Sequence, residues 1–163
     1  GGWFQRWRVR TGPQGEELEL RNLIGLVPGS RADWAGQSLV IGAHYDHLGF
    51  GWPDVHQEDA GQRHPGADDN ASGVAAILEI ARVLSDVETR ATVRFCFFAL
   101  EEHGRVGSYH HVEQLRNKGE EPDGAIILEM IGYATDQPDT QATPARIPLL
   151  FSPPTTGRRP SPA

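Results

Sequence analysis

Three short apolar runs constrain this chain more than anything else in it. Leu39-Val40-Ile41-Gly42-Ala43, Val93 to Leu100 and Ala125-Ile126-Ile127-Leu128 lack polar alternation, which is expected of strands covered on both faces. Ionisable side chains follow each one: His44 and Asp46, then Glu101 and Glu102, then Glu129. Between the first two runs, Val74, Ile77, Leu78, Ala81 and Leu84 fall on one helical face while Glu79, Arg82 and Ser85 fall elsewhere. Residues 73–85 therefore read as an amphipathic helix, with Ser72 as its N-cap. Buried strands alternating with amphipathic helices fold into α/β layers. The expected class is α/β, a three-layer α/β/α sandwich around a mostly parallel mixed sheet. The strands near 39–43, 93–100 and 125–129 should be central, with helix 73–85 on one face.

The segment Gly66-Ala67-Asp68-Asp69-Asn70-Ala71-Ser72-Gly73 places two carboxylates just ahead of that helix, where unpaired amides favour negative charge. Read alone, it also fits a polar capping turn. His44 and Asp46, two apart on a strand, face the same way. Asp46 is thus placed to bond the imidazole nitrogen that a metal would not use, fixing its tautomer. Alone, the pair also fits a surface histidine beside an incidental acid. Together, four strand or loop ends present His, Asp, Glu and Glu in series, which is how a metal centre is built from a sheet.

The remaining segments are scaffold or surroundings. Trp3 to Arg10, Leu18 to Leu20 and Leu23 to Val27 read as strands feeding the sheet. The Gly-, Pro-, Asp- and His-rich stretch 48–67 is of the length that is usually functional inside a compact domain. His47, His56 and His64 are expected at the site mouth or in solvent. Ser108 to Arg116 reads as a helix with His110 and His111 on its surface, and Cys96 as core.

With 163 residues, 38% apolar and 23% charged, the chain is ordinary for a soluble domain with a sizeable core. The net charge of −7 argues against a nucleic-acid partner. No apolar run approaches the roughly 18 residues of a membrane span. One cysteine excludes an intrachain disulfide. The first residue is Gly and no signal peptide is visible, so the chain reads as a fragment.

Taken together, the motifs resemble the M28 family of zinc aminopeptidases, from about Asn22 to Tyr133 and in the family's order, with the Gly66–Gly73 block the most specific. The resemblance implies a peptide substrate and two zinc ions per complete domain. His44 would bind one metal, with Glu129 as its second ligand and Asp69 bridging both metals. Glu102 would bind the other metal, Glu101 would be the general base, and Asp46 would stand behind His44. A cis Asp69-Asn70 peptide bond is implied too. Two zinc ions about 3.5–4 Å apart require a carboxylate able to give one oxygen to each. The family often has Asp where Glu129 stands, and both supply oxygen.

The family's fifth ligand is a His late in the domain, but the last one here is His111, which is too early and on another element. The second metal site thus lacks its His. Residues 1–151 are accordingly expected to be a partial catalytic domain, incomplete at the C-terminus, and the Pro-, Arg- and Ser-rich 152–163 a disordered tail. The family also favours an extracytoplasmic or secreted location. Two alternatives stand beside the peptidase. One is a glutaminyl cyclase-like acyltransferase of the same fold, working with one zinc. The other is a non-catalytic peptidase-like binding domain or an inactive truncated product.

Overall fold

The computed structural model describes residues 3–11, 15–50, 61–133 and 135. Residues 1–133 make one compact unit and 134–163 a second; the latter lies almost wholly outside the described residues, as does the expected tail at 152–163. The first unit contains β1 (Phe4–Thr11), β2 (Glu16–Val27), a 3-10 turn (Ala32–Trp34), β3 (Ser38–His44), α1 (Ala71–Ser85), β4 (Thr92–Phe98), α2 (Val106–Lys118) and β5 (Gly124–Ile127). No helix among the described residues is long and apolar enough to cross a membrane.

The five strands form one sheet in the order β1-β2-β4-β3-β5. β1 and β2 are antiparallel, as are β2 and β4, whereas β3 runs parallel to both β4 and β5. The sheet is mixed, with the aromatic β4 at its centre. Side chains alternate along each strand, and the two faces are covered differently. On one, Ile41, Ala43, Val93 and Phe95 bury against Ile77 of α1, with Val74, Ile80, Ala81 and Leu84 around it. On the other, Val40, Cys96 and Phe98 cluster with Ile24, and the α2 residue His111 touches Cys96 and Phe98. That gives three layers, α/β/α.

Several expectations need correction. The two stretches 18–20 and 23–27 belong to one continuous strand, β2, because β1 pairs residues 16–23 and β4 takes over from Leu23 to Val27. The side chain of Asn22, a poor strand residue, is hydrogen-bonded to Gln5, Gly107 and Ala99. The N-cap of α1 is Asn70, whose side chain accepts from Gly73 N. Ser72 lies inside the first turn and instead donates to Asp68 O. On α1 it is Ile80, not the exposed Leu78, that joins the core. His111 is buried at 4% exposure, since Gly107, His111 and Leu115 line the inward face of α2 at helical spacing.

The third apolar run also differs. β5 pairs with β3 alone and forms the sheet edge among the described residues, with Ile126 49% and Ile127 55% exposed. Its composition suits a strand covered on both faces, but nothing among the described residues covers it. Ile131 and Tyr133 beyond it are exposed as well.

Candidate metal centre

The C-terminal ends of β3, β4 and β5 point the same way, because these strands are mutually parallel, and the turn into α1 meets them there. Open α/β sheets place their sites at such ends. His44, the last residue of β3, is 3% exposed. Its Nε2 lies 2.9 Å from Asp69 Oδ1 and 3.2 Å from Glu129 Oε1. One ligand atom each from His44, Asp69 and Glu102 fall within 4.8 Å of one another. Of the expected site residues, these four are brought together.

Asp46 sits behind them and works on both sides of the site. His44 Nδ1 is 3.1 Å from the Asp46 backbone oxygen and 3.5 Å from its carboxylate, so the backbone carbonyl is the nearer acceptor, where the carboxylate was expected. The carboxylate instead accepts from the amides of Glu101, at 3.0 Å, and Glu102, at 3.3 Å. The Asp46 pKa is lowered: burial opposes the charge, but His44 and the Glu101 amide outweigh it.

Asn70 was not anticipated as part of the site. The Asp69-Asn70 peptide bond is cis, and Asn70 is buried. Its Oδ1 accepts from Gly73 N and Met130 N, and its Nδ2 donates to Leu128 O at 2.8 Å. It therefore ties the start of α1 to the residues on either side of Glu129. The packing there is close: a Cβ at Gly73 would lie 2.5 Å from Asn70 Oδ1 and 3.0 Å from Leu128 O. Asp68 Oδ1 also accepts from Gly132 N at 2.7 Å. The run Asp68-Asp69-Asn70 ahead of a helix was the available sign, since Asn is as strong an N-cap as Ser.

Crowded acids set the electrostatics. Glu102 is pushed up to about 7 by burial and then by Asp69, against the opposing pull of His44. Burial raises Glu129 too. His44 is raised to about 9: burial lowers it, but Asp46 and Glu129 hold the imidazolium proton. The charge of Glu101 is felt by both Glu102 and Glu129. A divalent cation fits this donor set. Imidazole with carboxylates suits zinc, and the cation would supply the positive charge that the Nε2 proton supplies between Asp69 and Glu129, displacing that proton.

The other histidines divide. His64 lines a cavity of about 270 Å³ with Leu48, Asp68, Asp69 and Glu102, at the mouth as expected. His47 is exposed and its Nδ1 accepts from Gly49 N. His56 lies outside the described residues.

Residues 22–152 match the family model for peptidase family M28. The chain belongs to this family. The M28 chain is 40% identical over 100 residues to the aminopeptidase YwaD of Bacillus subtilis, covering 61% of this chain and 19% of that one. Its fold is that of a Zn-dependent exopeptidase from Parabacteroides distasonis, with a TM-score of 0.64 and 24% identity over 80% of this chain and 47% of that one. A glutaminyl cyclase from Bacteroides thetaiotaomicron shares the fold at a TM-score of 0.61 and 24% identity, over 79% of this chain and 47% of that one. The M28 chain spans about a fifth to a third of the length of the curated relatives it matches. Matched relatives bear the names aminopeptidase and probable zinc metalloprotease.

Proposed function

We propose that this chain carries the metal-binding core of an aminopeptidase that releases N-terminal residues from peptides. The observation carrying this reading is the meeting of His44, Asp69 and Glu102 within 4.8 Å, with Glu129 3.2 Å from the same imidazole nitrogen. His44, Asp69 and Glu129 would hold one zinc ion, and Asp69 and Glu102 would hold a second. When bound, zinc would acidify a water and polarise the peptide carbonyl. Asp46 is a positioning residue: it orients His44 and holds the Glu101 and Glu102 amides. Glu101 is not needed for ligation, and its carboxylate is close enough to raise both Glu102 and Glu129. As general base it takes a proton from the water while the water oxygen adds to the carbonyl carbon. It returns that proton to the departing amine nitrogen as the C–N bond breaks.

Glu101→Gln in the zinc-loaded protein tests the assignment. Hydrolysis of an aminoacyl-nitroanilide should fall about 10²- to 10⁴-fold, while zinc content stays at the wild-type level. Unchanged turnover would remove Glu101 as the base. Cyclisation of an N-terminal glutamine with ammonia release, and no peptide cleavage, would favour the cyclase-like chemistry instead.

A further inference from the structure

The geometry points to Asn22 as a positioning residue for the Glu101-Glu102 loop, acting from the opposite end of that loop to Asp46. This rests on Glu102 binding metal as proposed above. Asn22 lies inside β2 and is 0% exposed. Its Nδ2 donates to Gly107 O at 2.8 Å and to Gln5 Oε1 at 2.9 Å, and its Oδ1 accepts from Ala99 N at 3.0 Å. Ala99 is the residue after β4, and Gly107 is the second residue of α2. The segment between them carries both glutamates.

Gly107 N also donates to Ala99 O at 2.9 Å and Val106 N to Leu100 O at 3.0 Å, so backbone bonds and two bonds from Asn22 together close the neck of the loop. The neck is packed to contact. A Cβ at Gly107 would lie 2.3 Å from Ala99 O and 2.5 Å from Asn22 Oδ1. Within the loop, Leu100 and Arg105 hold φ of 54° and 62°, a region that non-glycine residues enter only where the surroundings enforce it. Asp46 holds the amides of Glu101 and Glu102 and Asn22 holds the two ends.

The β-ladder does not account for this side chain. β2 uses backbone groups for pairing, and an apolar residue at position 22 would avoid burying an amide. What the amide provides is donor and acceptor capacity matched to Gly107 O and Ala99 N, the two ends of the loop.

The test uses the chain of residues 1–163 with Co²⁺ as probe, followed by calorimetry and by the visible absorption of the bound ion. Asn22→Ala should weaken binding of the second Co²⁺ ion, the one Glu102 would hold, on the order of 10- to 100-fold, as supporting residues around metal ligands do, and alter the absorption of what still binds. Val93→Ala, at the far end of β4, provides a destabilised control and should bind Co²⁺ within about twofold of wild type. Glu102→Gln should weaken binding by itself, and combining it with Asn22→Ala should add little, because the two act on one contact. Wild-type affinity and absorption in Asn22→Ala, or full additivity with Glu102→Gln, would overturn the inference. Equal binding by wild type and Glu102→Gln would instead remove Glu102 from the metal centre, and the role of Asn22 with it. Should Asn22→Ala not fold, the wild-type protein decides: Zn²⁺ should slow amide exchange at Ala99 and Gly107, and unchanged exchange with zinc bound would refute the coupling.

Discussion

Replacing Asn70 separates the fold from the site, because one buried side chain serves both. Asn70→Ala removes the N-cap bond to Gly73 N, worth about 1 kcal/mol, together with the bonds to Leu128 O and Met130 N. Leu128 is half-buried, so its carbonyl loses a partner at about 1–2 kcal/mol. The sum is about 2–3 kcal/mol, or a melting-temperature drop of about 10 °C for a unit of this size. Circular dichroism on heating measures it. Asn70→Ser keeps a good cap but is too short for the strand end beside Glu129, and should recover only the capping part, about 1 kcal/mol. Zinc affinity should behave differently, falling on the order of 10- to 100-fold in both variants, since in both the tether to Leu128 and Met130 is gone. If Asn70→Ser recovered zinc affinity along with its stability, or if Asn70→Ala lowered the melting temperature by less than about 3 °C, the assignment of Asn70 as the Glu129 tether would fail.

Acid should destabilise the protein partly through His111. Burial, then Arg94 and Lys118, lower its pKa from 6.5 to about 4, so its contribution is full above pH 6.5 and is lost as pH falls towards 4. At 1.36 kcal/mol per unit the loss is about 3 kcal/mol; chemical denaturation of wild type and His111→Gln across that window should show it in wild type alone, and parallel pH curves would refute it. Residues 1–163 should bind one zinc ion more tightly than a second, because His44, Asp69 and Glu129 offer three donors to the first and only Asp69 and Glu102 remain for the second, where a catalytic zinc normally has three. Calorimetric titration tests this, and two ions of similar affinity would show a further ligand. Ile77→Ala, at a fully buried position of α1, should cost about 2–5 kcal/mol without shifting zinc affinity by more than about twofold, as measured by melting and titration side by side.

The sequence displayed the site better than it displayed what holds the site. His44, Glu101 and Glu129 stood out because each directly follows an apolar run, with Glu102 next to Glu101; of these, His44, Glu102 and Glu129 meet Asp69 in the structure. The centrality of β4 was legible from its aromatic continuity. β5 misled for the same reason: Ala125 to Leu128 has the composition of a covered strand, and composition does not say which part of a protein does the covering. His111 was read as surface from its polar neighbours, although Gly107, His111 and Leu115 already stand at helical spacing. Asn22 and Asn70 were hardest to see. Asn70 has a local mark as a helix cap but its tether to Leu128 does not, and Asn22 has none, because these bonds reach backbone groups 58 to 85 residues away that come close only once the chain has folded.

Those two amides also bear on how a site so rich in acid stays assembled. Asp46, Asp69 and Glu129 lie against a single imidazole with Glu102 close by, and Glu102 is raised to about 7 by burial first and by the neighbouring acids second. Left to side-chain contacts alone, the loops carrying these acids would move apart without a cation. They are instead fixed through their backbones: residues 101 and 102 by Asp46, 128 and 130 by Asn70, 132 by Asp68, and 99 and 107 by Asn22. A neutral amide at 70 and 22 bonds a carbonyl and an amide at once, which a carboxylate cannot do without repelling the carbonyl. It also adds no charge to a centre that already has too much of one sign. The loops are therefore tied by bonds made on folding, and on the proposed reading a metal would have only to replace the His44 proton between carboxylates already held.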